Sequence, residues 1–303
     1  MGHCNNLHGP RPATHRSPAT FFALLLLLPT IVPARPELSK PDSVCQDSSA
    51  VEQGHTFWSR YNVARMGAIG IAGGTMVYSA GVWWVNDYRP FHWWNAPWFG
   101  GLGVDKIGHM YTGYALYTSM HNVLLWGGHD SSTAFWWAAG VATFHGFMVE
   151  VGDGFSEYGF DFRDVTFNCI GITYGILQTK IPFLQNFDLK WSLYYPMKHH
   201  SFKINDLYVY HIYWMSANVK NLLPESVRPY WPSVLQIAFG LGAEDNLTTR
   251  TYNLSFDYNL EALPIEGRDA SLFKRLLNLF HYPAPGVKFA PGHPPEYKLF
   301  LLH

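Results

Sequence analysis

Asp105, His109, Glu150, Asp153, Asp164 and Asn168 are the residues whose types and spacing could do chemistry. His109 follows Asp105 by four residues in DKIGH, and Asn168 follows Asp164 by four in DVTFN. Residues at that spacing share one helix face. Glu150 and Asp153, three apart in EVGD, face the same side if their helix continues through Gly152. Carboxylates with an imidazole suit Zn²⁺, Mn²⁺, Mg²⁺ or Fe²⁺. They also suit general acid–base chemistry, because carboxylates crowded in a poorly solvated place have their pKa values pushed apart. On this reading His109, Glu150 and Asp164 are metal ligands or acid–base groups, and Asp105, Asp153 and Asn168 orient them or complete the shell. Lys106 pairs with a carboxylate or binds an anionic substrate group.

Each of these residues also has a purely structural use. Asp105 and Asp164 are placed to cap helix N-termini. Asn168 can hydrogen-bond between helices, His109 can be a satisfied core histidine, and Glu150 can pair with Lys106 or Arg163. Six polar side chains gathered at one mouth of an apolar bundle are costly unless used. Both uses stay open at this point.

The elements that must position these residues are four stretches free of Asp, Glu, Lys and Arg: 66–86, 107–129, 131–149 and 165–179. As successive antiparallel helices they place Asp105 before the second, Glu150 at the end of the third and Asp164 before the fourth. In an up-down bundle those three positions lie on one side. Uncharged helices of this length, rich in small residues such as Gly70, Gly73 and Gly74, predict membrane embedding. A water-soluble bundle with a Gly-rich core is the other arrangement they allow.

Composition points the same way. Charged residues are only 14% of the chain and aromatics 17%, the balance of a protein that touches a bilayer interface. A formal net charge of −1 with no basic run excludes nucleic-acid binding. Residues 1–34 read as a secretory signal: Arg11 and Arg16, an apolar run at 21–28, and small residues Val32 and Ala34 before the cut. No cysteine stands in a lipobox position. Cys45 and Cys169 have neither metal nor disulfide spacing. Residues 35–57 read as a linker and 58–187 as the helical domain carrying the site.

From 188 to 303 the texture becomes that of a β-rich module. Runs at 189–195, 234–241, 251–259 and 297–302 are aromatic or β-branched. In TYNLSFDYN, apolar and polar residues alternate, the period of a strand with one wet face. Residues 242–246 suggest a hairpin turn, and 270–280 has the spacing of a helix. The fold class is therefore α+β, a bundle of about four helices followed by a β-rich module. No phosphate loop, G-x-S-x-G elbow, H-E-x-x-H pair or Cys/His nucleophile pair is present. His145 reads as a helix-contact residue, His129–Asp130 as part of a loop on the opposite side, and His199 and His200 as exposed.

FHWWN at 91–95, DKIGH at 105–109 and EVGDGFSEYGFDFRDVTFNCIG at 150–171 resemble the YfiM-like bacterial envelope family (domain of unknown function 2279). The resemblance extends over roughly residues 60–300 through LKWSLYYP, YWMSANV and HYPAPGV. It implies an exported protein of the bacterial cell envelope with periplasmic exposure. It carries over to Asp105, Lys106, His109, Glu150, Asp153, Gly154, Ser156, Asp164, Asn168 and Gly171. Tyr158 and Asp161 depart from that pattern, which favours Trp and Ser there. A looser similarity joins D-K-x-x-H and D-x-x-x-N to VanZ-like membrane proteins. The family has no assigned reaction, so three functions remain open. They are a metal-assisted or acid–base hydrolase-like enzyme acting on an envelope component, a non-enzymatic scaffold or binding protein, and an ion or small-molecule binder. Membrane lipids or envelope components are the expected partners.

Overall fold

Each helix of the first layer starts where a side chain or a glycine can close its N-terminus. Ser59 Oγ accepts from the Asn62 amide ahead of α1 (Arg60–Ser79), which runs on into a π turn at Ala80–Trp84. Gly103, in the left-handed region at φ 76°, opens α2 (Val104–Gly127), and Gly128 at φ 95° closes it. Asp130 accepts from Thr133 N at the head of α3 (Ser131–Gly154), and Asp161 accepts from Arg163 N at the head of α4 (Phe162–Lys180). The computed structural model describes residues 58–84, 88–95, 100–193, 210–244 and 248–301. The expected signal peptide, the linker, Cys45, His199 and His200 lie outside the described residues.

The bundle core sits among Ala68 of α1, Leu116, Tyr117, Met120 and Leu124 of α2, Ala134, Ala138 and Ala142 of α3, and Ile172 of α4. Small residues let the helices approach closely. A Cβ at Gly171 would collide with the Met110 carbonyl, and one at Gly113 with the Asn168 carbonyl, so α2 and α4 touch backbone to backbone.

The expectation of membrane-spanning helices is not met. Among the described residues, no helix is long and apolar enough to cross a membrane. The uncharged stretches are diluted by polar residues that the bundle buries, among them His121 and Asn122 in α2 and His145 in α3. His145 Nε2 lies 2.7 Å from Thr75 Oγ1, a contact between α3 and α1.

Among the described residues six strands follow: β1 (Phe187–Leu193), β2 (His211–Ala217), β3 (Leu235–Ala243), β4 (Arg250–Tyr258), β5 (Ala284–Phe289) and β6 (Glu296–Leu301). They form one antiparallel sheet in chain order, with α5 (Arg268–Leu277) between β4 and β5. The fold is thus α+β, as the change of texture near residue 188 predicts. The expected hairpin falls between β3 and β4, with residues 245–247 of its turn outside the described set. The sheet also curls back on itself. Trp191 of β1 bridges in parallel to Phe280, with Trp191 N donating to Leu279 O and His281 N donating to Trp191 O. Leu301 of β6 packs with Ile212 and Trp214 of β2 and Ala238 of β3. Bundle and sheet share a core of Tyr111, Tyr114, Leu189 and Leu279.

Candidate functional site

The site forms where the start of α2, the end of α3 and the start of α4 meet. α2 contributes Asp105, Lys106 and His109, α3 contributes Glu150 and Asp153, and α4 contributes Asp164 and Asn168. A clasp holds the connection between α3 and α4 in place. His92 N donates to Gly154 O, Phe160 N to His92 O and Trp94 N to Phe160 O, each at 2.9 Å. Phe91 packs where a Cβ on Gly154 would stand, and Ser156 Oγ donates to Asp153 O at 2.9 Å. From the sheet, Arg250 donates to the Leu102 carbonyl and fixes the turn that leads into α2. The Tyr213 hydroxyl of β2 lies over Gly108.

Two groups of contacts make up the cluster. In the first, Lys106 Nζ lies 2.8 Å from Asp105 Oδ2, 2.9 Å from Asp161 Oδ2 and 2.6 Å from Asp164 Oδ1. Asp161 is also gripped by Arg163, whose Nε donates to Oδ1 at 2.7 Å. In the second, His109 stands between carboxylates. Its Nδ1 is 3.4 Å from Glu150 Oε1, and its Nε2 is 3.6 Å from Asp105 Oδ1 and 3.8 Å from Asp164 Oδ2. The Asn168 amide lies 3.4 Å from the same Nδ1. Glu150 is 1% exposed, and its Oε1 has no hydrogen-bond partner among the described residues. Asp153 Oδ1 accepts from Trp84 Nε1 at 2.8 Å.

The electrostatics follow from this crowding. Burial would lower the His109 pKa, but Glu150, then Asp164 and Asp105, lift it to about 9. Burial lifts Glu150 to about 8 against the pull of His109. Burial also lifts Asp153 to about 6, opposed by its hydrogen bond from Trp84. Asp164 is raised by burial as well, with His109 opposing. Asp161 goes the other way. Burial works to raise it, but its bonds from Arg163 and Lys106 hold it below the usual carboxylate range. Near neutral pH the cluster therefore holds more protons than its groups would in water, and a bound cation would displace them.

All seven sequence-predicted residues are brought to this one mouth. Asp105 and Asp164 are not the caps that a structural role would make them: Gly103 and Asp161 hold those positions, and the two acids stand in the first turns of α2 and α4. Among the described residues, Asp105, His109 and Asp164 come within cation-holding reach of one another, each offering an atom within 4.8 Å of the others. Glu150, expected as a ligand, stands on the far, Nδ1 side of the imidazole. Sequence reasoning did not give Asp161 its role as the second carboxylate on Lys106, although an Asp just before a helix is a capping signal. Trp84 carried no signal at all. Beside the site, a groove of about 530 Å³ between α3 and α4 is lined by Trp136, Phe144, Phe147, Val165 and Cys169 and reaches Asn168.

Residues 93–180 match the model of a family described as "Predicted periplasmic lipoprotein (DUF2279)". That segment holds α2, α3, α4 and every residue of the cluster, so the resemblance to this family is borne out there. The match supports an exported envelope protein. The looser likeness to VanZ-like proteins is not shown. No curated protein and no solved structure matches the chain.

Proposed function

We propose that the cluster is the site of a metal-assisted or acid–base hydrolase-like enzyme acting on an envelope component. The carrying observation is the setting of the His109 ring. Glu150 Oε1 stands 3.4 Å from Nδ1, while Nε2 looks toward Asp105 and Asp164. A carboxylate behind an imidazole whose other nitrogen meets further donors is the arrangement by which proteins orient metal-binding histidines. Asp105, His109 and Asp164 would hold a divalent cation, which supplies Lewis acidity and an activated water. Glu150 and Asp153, both lifted by burial, are carboxyls able to give and take protons near neutral pH. The adjoining groove is mostly apolar and of a size that takes ligands, which favours a substrate carrying a hydrocarbon chain.

The test is elemental analysis of the purified full-length protein beside His109→Ala and Glu150→Gln. Stoichiometric Zn, Mn or Fe is expected in the wild type and its loss in His109→Ala. Glu150→Gln keeps the fold and weakens metal binding by roughly 10–100-fold. Wild-type protein that is metal-free as purified and takes up no added cation would overturn the metal reading. The second reading, a scaffold whose polar cluster locks helices together, draws on the three ion pairs of Lys106.

A further inference from the structure

The sheet carries its polarity inside out. Along β4, Thr251, Asn253, Ser255 and Asp257 are buried, whereas Tyr252, Leu254 and Phe256 are exposed. In the neighbouring strands Ser216 and Gln236 are buried, while Met215 is 45% and Phe239 69% exposed. Register places the outward residues side by side: Met215 opposite Phe239, Phe239 opposite Leu254, Leu254 opposite Val287 and Val287 opposite Tyr297. Residues paired in register share a face. The flanking rows, Tyr213–Leu241–Tyr252–Phe289 and Ala217–Ile237–Phe256, likewise contain no charged side chain.

The charges have gone to the other face. Lys190 and Asp257 are 2.7 Å apart with neither side chain exposed, and Lys190 Nζ also donates to Gln236, to Asn278 and to the Tyr258 carbonyl. Ser216 Oγ donates to Asp257 at 2.6 Å. A sheet that faced water on its outer side would place these groups outward and the aromatics inward.

Part of the apolar face is already an interface. α2 covers its β1 end, with Tyr111 and Tyr114 against Leu189 beside Trp191 and Tyr213. From there, among the described residues, the same face continues uncovered across β3, β4 and β5. We propose that this uncovered face lies in the acyl-chain region of a lipid bilayer. Its chemistry separates lipid from a second copy of the chain. Protein interfaces place hydrogen-bonding groups every 100–200 Å² or so, whereas these rows offer only tyrosine hydroxyls. The nine-residue strands β3 and β4 extend about 30 Å, enough when tilted to cross most of an apolar band ~25 Å tall. Tyr252 and Tyr258 stand toward opposite ends of β4, where amphipathic rings meet headgroups.

The experiment is flotation of the full chain with phosphatidylethanolamine/phosphatidylglycerol vesicles, comparing wild type, Phe239→Lys and Leu254→Lys, with Val77→Lys on the exposed side of α1 as the control. The wild type and the control are expected to float. Each sheet variant should lose at least about tenfold in partition coefficient, because a lysine on a lipid face must leave the hydrocarbon. Should the lysine variants fail to fold, Phe239→Cys in a chain otherwise free of cysteine, labelled with bimane, serves instead. Its fluorescence should be quenched by bromines on the acyl chains. Wild type that stays unbound, sheet variants that partition like wild type, or a label untouched by the bromines would overturn the proposal. So would a dimer that Phe239→Lys splits without altering vesicle binding, which would assign the face to a second copy.

Discussion

Lys106→Met separates a cation site from a structural lock. Lys106 is the sole cation within 3 Å of both Asp105 and Asp164 among the described residues, and its side chain is 6% exposed. Removing it takes the shared ammonium away from Asp105, Asp161 and Asp164, while His109 stays beside Asp105 and Asp164 and Arg163 stays on Asp161. Breaking a buried pair from one side costs about 3–5 kcal/mol. At roughly 2–4 °C per kcal/mol for a folded unit of this size, Tm should fall by about 6–20 °C in the presence of chelator. The same change frees Asp105 Oδ2 and Asp164 Oδ1, so a divalent cation among Asp105, His109 and Asp164 should bind more tightly than in the wild type. A cation at 100 times its Kd returns about 2.7 kcal/mol, or roughly 5–11 °C. Differential scanning fluorimetry at fixed pH, with chelator or with Mn²⁺ or Zn²⁺, reads both steps. An unchanged Tm in chelator would refute the role given to Lys106. A lowered Tm that no divalent cation raises would mean the carboxylates serve the lysine alone, and the metal reading would fall.

Gly171→Ala should cost at least about 1–3 kcal/mol, read as a drop in urea midpoint, because its methyl group meets the α2 backbone rather than a side chain that can turn aside. A neutral Gly171→Ala would show that the two helices can part. Two buried histidines should contribute an acid-sensitive share of stability between pH 6.5 and about 4. Burial holds His211 and His281 at about 4, below the 6.5 of an unfolded histidine. A depressed folded pKa contributes stability that is full above the unfolded value and is lost as pH falls through the folded one. Urea midpoints at pH 7 and pH 4.5 should therefore differ less in a His211→Gln/His281→Gln variant than in the wild type. An equal acid loss in both would remove these histidines as its cause.

The cluster was legible because the spacings in DKIGH and DVTFN and an up-down order of uncharged stretches are enough to bring Asp105, His109, Glu150, Asp164 and Asn168 together. Which oxygen faces which nitrogen was not, since that depends on helix rotation and on how Lys106 divides itself among Asp105, Asp161 and Asp164. The strand at 250–258 was equally plain from its period of two. Its wet face was not: alternation separates two faces but does not say which one meets water, and here Asp257 and Asn253 are inside. β2 and β5 were missed as strands. β2 mixes His211, Ser216 and aromatics, and β5 contains Pro285 and Gly286, which break the pattern. The membrane expectation for the helices failed because absence of charge is not the same as hydrophobicity. Glycine, serine, threonine and histidine fill the gaps.

The close approach at Gly113 and Gly171 works as a key that sets the register of α2 against α4. Sliding one helix past the other by a single turn, about 5.4 Å, would drive Cβ atoms into backbone and carry Asp164 and Asn168 away from His109. The pair must move as one body. Between α3 and α4 the contact is softer at Gly146, since what meets it there is the Asn168 side chain, which can rotate. A ligand that enters the groove between α3 and α4 can therefore be met by turning Asn168, with the two backbones and the Gly154 clasp left in place.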